Sequence, residues 1–288
     1  MPKKEFRNLR FSDYFMFTAV MRDPNLCRRV IERLLQTQIG ELTTPAYEKV
    51  IKQTKDGKSI RLDIYAKEES KNTVYDMEMQ NLNRKSISSL NLPKRSRYYQ
   101  SMIDRNILGE GKEYSELSES NVIFICTFDP FGYDLTQYSF EEKCDELPDL
   151  KLCDGTRKIF FNTRTSKKDI PKSLKKLYNY INSGEPSDEL TNDLEKAVER
   201  ARNNEELEAE YMNNSLFYTD AKNEGREEGR MEGRMEGREE GIKGAFDIML
   251  EMNCSETDII SRLMKTFGLS EEEAKTRYDE YAASNVIS

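Results

Sequence analysis

Apolar positions along the chain keep two rhythms, and each predicts a different element. Phe11–Val20 is rich in aromatic residues and runs towards Asp23-Pro24, a break between two helices. From Asn25 onward, Leu26, Val30, Ile31, Leu34 and Leu35 recur at helical spacing with a polar opposite face, which predicts a helix over residues 25–35. Residues 36–58 read as loop and strand, with a turn at residues 55–58. The rhythm then shortens. Ile60, Leu62, Ile64 and Ala66 alternate with Arg61, Asp63 and Tyr65, the period of one half-buried strand over residues 60–66. Residues 74–80 alternate again, with Tyr75, Met77 and Met79 on one face and Asp76, Glu78 and Gln80 on the other. Residues 67–72, which include Glu68 and Glu69, close a hairpin.

Residues 83–108 read as helical, with Pro93 either kinking one helix or opening a second. The unbroken apolar run at residues 122–128 has the form of a buried central strand. Residues 158–162 are a further strand, residues 171–183 and 187–212 are helices, and residues 242–284 carry amphipathic helical spacing. Between the last two, NEGREEGRMEGRMEGREEG at residues 223–241 repeats glycine every fourth position. Each glycine costs about 1 kcal/mol in a helix interior relative to alanine. The tract therefore reads as a marginal charged helical linker, a coiled-coil-like oligomerising arm, or an expansion without function. Its charges exclude a membrane-embedded GxxxG pair.

Composition narrows the chemistry. The chain has 288 residues and no histidine, which removes Ser–His and Cys–His triads, His–zinc sites and a histidine general base. No phosphate-binding GxxxxGK[ST] or dinucleotide-binding GxGxxG sequence occurs. Five cysteines (Cys27, Cys126, Cys144, Cys153, Cys254) form no CxxC pair, which fits a reducing, cytoplasmic setting. No apolar run is long enough to span a membrane and no secretory signal is visible, so no membrane role is expected. Charge is uneven. Residues 1–112 hold 22 Lys and Arg against 14 Asp and Glu, a net of +8, so with −8 for the whole chain the remainder carries −16. A basic half that also contains acid-bearing strands suits a polyanionic partner near a metal ion, and equally suits an ordinary solvated surface.

Asp63 on one strand and Glu78 and Gln80 on the next lie within reach across an antiparallel pair. Carboxylates that converge need a cation to stay ionised together, and a hard divalent ion prefers oxygen ligands. On spacing alone, solvated outer-face acids are the commoner case.

"RLDIYA…YDMEMQ", with "PKRSRYYQSMID" downstream and "SDYFMFTAVM" upstream, resembles the PD-(D/E)XK nuclease-like family of transposases, related to the recombination-promoting Rpn nucleases, in an E-x-Q variant. The similarity runs from about residue 10 to residue 165. It implies an α/β, restriction-endonuclease-like core: a mixed sheet of about four strands flanked by helices in αβββαβ order, followed by a mostly helical C-terminal region. By this resemblance Asp63 and Glu78 bind Mg²⁺, with Mn²⁺ as a substitute, and Gln80 stands at the position that holds lysine in the parent motif. Glutamine hydrogen-bonds but brings no charge. Arg95, then Lys94, is the cation expected to replace the lysine. Asp13 reads as a further acid or a helix N-cap, and Asp76 as a group behind Glu78 or a solvated one. Arg61 and Arg97 suit phosphate contacts or exposed ion pairs. Of Tyr98 and Tyr99, one is expected to pack and the other, taken as Tyr99, to meet DNA.

The expected organisation is a nuclease-like core (1–165), an acidic helical extension (166–222), the Gly-Arg-Glu tract (223–241) and a small helical tail (242–288). The expected function is that of a Mg²⁺-dependent deoxyribonuclease acting in DNA mobility or recombination, with DNA and a second copy of the chain as partners. Two alternatives are a catalytically inactive nuclease-fold protein that binds DNA or oligomerises, and an interaction protein driven by the acidic half.

Overall fold

The computed structural model describes residues 4–51, 60–81, 91–108 and 111–285. The turn expected at residues 55–58 and the first part of the helix expected from residue 83 lie outside these. Helices α1 (Tyr14–Val20) and α2 (Pro24–Leu35) come first. The Asp23 side chain caps α2 by accepting the Asn25 and Leu26 N–H groups, and Pro24 occupies its first turn. Strands β1 (Ala46–Ile51), β2 (Ile60–Glu68) and β3 (Thr73–Gln80) follow, then α3 (Leu92–Ile107), β4 (Glu119–Cys126), β5 (Gln137–Phe140) and β6 (Thr156–Asn162). Pro93 sits in the first turn of α3, so it opens the helix and does not kink it.

The strands form one six-stranded mixed sheet in the order β1-β2-β3-β4-β6-β5. β1, β2 and β3 pair antiparallel, β3, β4 and β6 run parallel, and β5 returns antiparallel on β6. The α/β class and the helix-flanked mixed sheet agree with expectation. The sheet is wider than the four strands expected, because β5 and β6 extend it beyond β4. Helices α4 (Lys172–Ser183) and α5 (Glu189–Arg202) join α1 and α2 on one face. There Phe17, Ile31, Leu177 and Leu194 pack on Ile64, Met77, Ile123 and Phe161. On the other face, Met102 and Ile103 of α3 cover Val74, Val122 and Phe124. Full burial of each such side chain contributes roughly 1.5–3 kcal/mol.

The single helix expected over residues 187–212 is two helices. α5 ends at Arg202, and the Asn204 side chain accepts the Leu207 N–H to start α6 (Glu205–Glu251). An asparagine that competes for backbone groups is a poor interior residue and a good cap, which is why the break falls there. The chain divides into two compact units, residues 1–211 and 212–288. In the second, Ile242 and Phe246 of α6 pack with Ile259 and Leu263 of α7 (Glu256–Phe267) and Ala274 of α8 (Glu271–Asn285). No helix among the described residues is long and apolar enough to cross a membrane.

Candidate functional site

The site is built where a strand pair comes apart. β2 and β3 pair from Glu68↔Thr73 to Ile64↔Met77, and there the pairing stops. The next positions are Asp63 and Glu78, and their carboxylates take over the ladder. The Asp63 N–H donates to Glu78 Oε1 at 3.0 Å, and the Met79 N–H donates to Asp63 Oδ2 at 3.0 Å. β3 runs on beside β4 as far as Gln80↔Cys126. β2, released from β3, changes sides. Ile64 and Ala66 pack under α1 and α2, whereas Ile60 and Leu62 pack on the α3 side. The strict alternation expected over residues 60–66 is therefore broken at Asp63, because two side chains replace backbone partners and open a fork.

Helix α3 lies over this fork. Lys94, Arg95, Tyr98 and Tyr99 turn towards an open cleft of about 810 Å³ that Asp63, Glu78, Gln80 and Arg61 also line. Arg97, on the same helix, is exposed and does not line it. The Arg95 guanidinium donates to Glu78 Oε2 at 3.1 Å, Gln80 Oε1 at 3.2 Å and the Tyr99 hydroxyl at 3.0 Å. It also lies 5.3 Å from the Tyr99 ring centre and 5.6 Å from that of Phe124. Arg61 reaches over the Tyr14 ring at 5.3 Å. Tyr98 and Tyr99 both pack on the α3-side core and both border the cleft.

Asp13 also lines the cleft and holds the N-cap position of α1, but its side chain makes no capping bond. Its carboxylate accepts instead from the Lys4 ammonium at 2.8 Å and the Arg10 N–H at 2.8 Å. Glu68 and Glu69 lie at the other end of the hairpin. Glu68 is buried and bonded, and Glu69 is exposed. Tyr14, Asn81 and Asn91 line the cleft although the sequence reading does not single them out. Tyr14 lies within the SDYFMFTAVM stretch and Asn81 directly follows the acid-bearing strand, whereas Asn91 carried no such signal.

Burial of the acids sets the electrostatics. Asp63, Asp76 and Glu78 are 5 %, 0 % and 1 % exposed. Of the two readings of Asp76, the solvated one fails, because α3 covers the polar face of β3. Burial, then the Asp63 charge, pushes the carboxyls of Asp76 and Glu78 well above the ordinary range, and Arg95 opposes the shift. Burial, then the Glu78 charge, raises Tyr99 to about 12. Both carboxylate oxygens of Asp76 are buried without a hydrogen-bond partner. The fit to a hard divalent ion rests on two observations: clustered oxygen donors under mutual repulsion, and an orphaned buried carboxylate. Among the described residues no three acidic or thiol side chains form a ready-made metal cage. The donor set is a carboxylate pair, the number Mg²⁺ commonly takes from protein while it keeps several waters.

No curated protein and no solved structure matches the chain significantly. A family model described as PD-(D/E)XK nuclease family transposase matches residues 23–228. That span is well over half of the sequence and contains the fork, Arg95 and the whole six-stranded sheet. The chain belongs to the PD-(D/E)XK nuclease family transposases.

Proposed function

We propose that this protein is a metal-dependent DNA endonuclease that hydrolyses phosphodiester bonds in DNA mobility or recombination. One observation carries the reading: the buried pair Asp63 and Glu78 sits at a strand fork on a cleft whose rim carries Arg61, Lys94 and Arg95. Asp63 and Glu78 would hold Mg²⁺, with Mn²⁺ as a substitute. Such an ion, when bound, lowers the pKa of water and neutralises charge that develops on a phosphodiester. Arg61 and Lys94 attract the DNA backbone, and exposed Arg97 extends that attraction along α3. Gln80 orients water by hydrogen bonding but supplies no charge. Arg95 supplies it, as a planar cation already held beside Glu78 and Gln80, and Tyr99 fixes its orientation through the hydroxyl. The same reading includes a cytoplasmic location and self-association through α6, on which Met231 and Met235 are exposed.

A specific observation favours a second reading, a nuclease fold that binds DNA without cutting it. Both oxygens of Glu78 are already engaged, by the Asp63 N–H and by Arg95, and the motif lysine is absent. Nicking of supercoiled plasmid separates the two. Wild type and Asp63→Asn are compared with Mg²⁺, with Mn²⁺ and with EDTA. Asparagine keeps an oxygen for the Met79 N–H, so the fork survives the substitution. The first reading expects nicking by the wild type with metal only, and a fall of at least about 100-fold in the variant. DNA binding with no nicking under any condition would establish the second.

A further inference from the structure

We propose that Asp76 is a third carboxylate of this site, one that grips the hydration shell of the divalent cation and not the cation itself. This rests on the reading that Asp63 and Glu78 hold such an ion. Asp76 lies two residues before Glu78 on the same face of β3, directly across from Tyr65 on β2 and beside Val122 on β4. It is completely buried, and neither carboxylate oxygen has a hydrogen-bond partner. An ionised carboxylate only accepts, and leaving it unsatisfied away from water is unfavourable.

The same hairpin shows what a structural buried acid looks like here. Glu68, also 0 % exposed, takes the Gly40 N–H at 2.7 Å, the Tyr75 hydroxyl at 3.0 Å, the Ser70 hydroxyl at 3.2 Å and the Lys71 ammonium at 3.3 Å. Asp76 has no such donor set. A purely structural role at this position is served better by an apolar residue, as Val74 serves two positions earlier. With all three acids ionised, Asp63, Asp76 and Glu78 beside Arg95 carry a formal charge of −2, the charge one divalent ion offsets. No three acids converge on a point among the described residues, so direct three-carboxylate coordination is not the arrangement. Mg²⁺ keeps most of its waters, and their O–H groups are donors of the kind an acceptor-only carboxylate requires.

The test is Mn²⁺ affinity of the full chain without DNA, measured by titration calorimetry and by electron paramagnetic resonance of free Mn²⁺. Asp76→Asn is expected to weaken binding about 10–100-fold, the usual effect of removing a group that orients a metal's ligands, with the metal-free melting temperature held or raised. Glu69→Gln, which removes one exposed acid from the hairpin turn, controls for net charge and is expected to leave affinity within about twofold. Affinity of Asp76→Asn within about twofold of wild type, or an equal loss in Glu69→Gln, overturns the inference. If Asp63→Asn abolishes binding while Asp76→Asn retains it, only this inference fails. No Mn²⁺ binding by the wild type overturns both it and the metal-dependent reading. Should Asp76→Asn not fold, the carboxyl carbon resonance of Asp76 in the wild type is followed while Mg²⁺ is added. A shift that saturates together with those of Asp63 and Glu78 supports the proposal, and an unmoved resonance overturns it.

Discussion

Arg95 satisfies three acceptors at once, and its removal has two separable effects. Arg95→Ala leaves one oxygen of the 1 %-exposed Glu78 carboxylate without its donor, which costs about 1–3 kcal/mol of fold stability. If Arg95 also does the work of the missing motif lysine, nicking falls by at least about 100-fold. Arg95→Lys separates the two effects. It keeps the charge but loses the planar fork that reaches Glu78 and Gln80 together, so nicking is retained in part. Denaturant melts and plasmid nicking on the same preparations check this, and wild-type nicking by Arg95→Ala would move the charge to Lys94. At this scale the placement was legible: period-two strands put Asp63 and Glu78 on neighbouring strands, spacing alone favoured solvated acids there, and only the resemblance singled out these two and Arg95. The burial of Asp76 was not legible, because alternation assigns a residue to a face but does not say that a helix covers that face. The fork was hidden for a related reason: side-chain bonds replacing ladder bonds leave the apolar rhythm of residues 60–66 unchanged.

The β2–β3 hairpin is anchored at its closed end by Glu68, and Gly40 is shaped to reach it. An added Cβ at Gly40 would stand 2.6 Å from Ser70 Oγ and 2.9 Å from Glu68 Oε1, so Gly40→Ala must displace the bonded carboxylate. A loss of about 1–3 kcal/mol in denaturant unfolding is expected. Burial works against ionisation of Glu68, but the Gly40 N–H, the Tyr75 hydroxyl and Lys71 outweigh it and hold the carboxyl below its ordinary value of 4.5. A lowered folded value means that the stabilisation is present above about pH 4.5 and is lost as pH falls through the folded value. The gap in melting temperature between wild type and Glu68→Gln should therefore be widest near neutrality and narrow below about pH 4.5. A gap that stays constant down to pH 3 would remove the electrostatic account. Among elements, long periodic stretches such as α2 and the continuous apolar run of β4 were readable. β5 was not. Its four residues carry one buried side chain, Tyr138, and its place is set by pairing with β6, a contact distant in sequence from the local pattern.

On the scale of the whole molecule, the Gly-Arg-Glu tract is the part whose sequence and structure pull hardest against each other. Glycine in every turn argues against a helix, yet α6 runs unbroken for 47 residues through the tract. Composition alone left a marginal linker, an oligomerising arm and an expansion without function open, because helix formation here depends on what flanks the tract and not on its own propensity. At one end, Ile242 and Phe246 anchor the helix in the core of the second unit. Within the tract, a Cβ added at Gly229, Gly233 or Gly237 meets nothing within 4 Å. Alanine at these three positions should therefore gain only the reduced freedom of the unfolded chain, about 0.4–1 kcal/mol each. The triple variant is expected to show stronger helical circular dichroism and a more stable C-terminal unit, by roughly 1–3 kcal/mol in total. Plasmid nicking should be unchanged, since every residue lining the Asp63–Glu78 cleft belongs to the first unit. Greater stability with altered nicking would mean that these glycines serve the reaction through their flexibility. No gain in helicity or stability would mean that they pack against a partner, a second copy of the chain being the first to test by sedimentation.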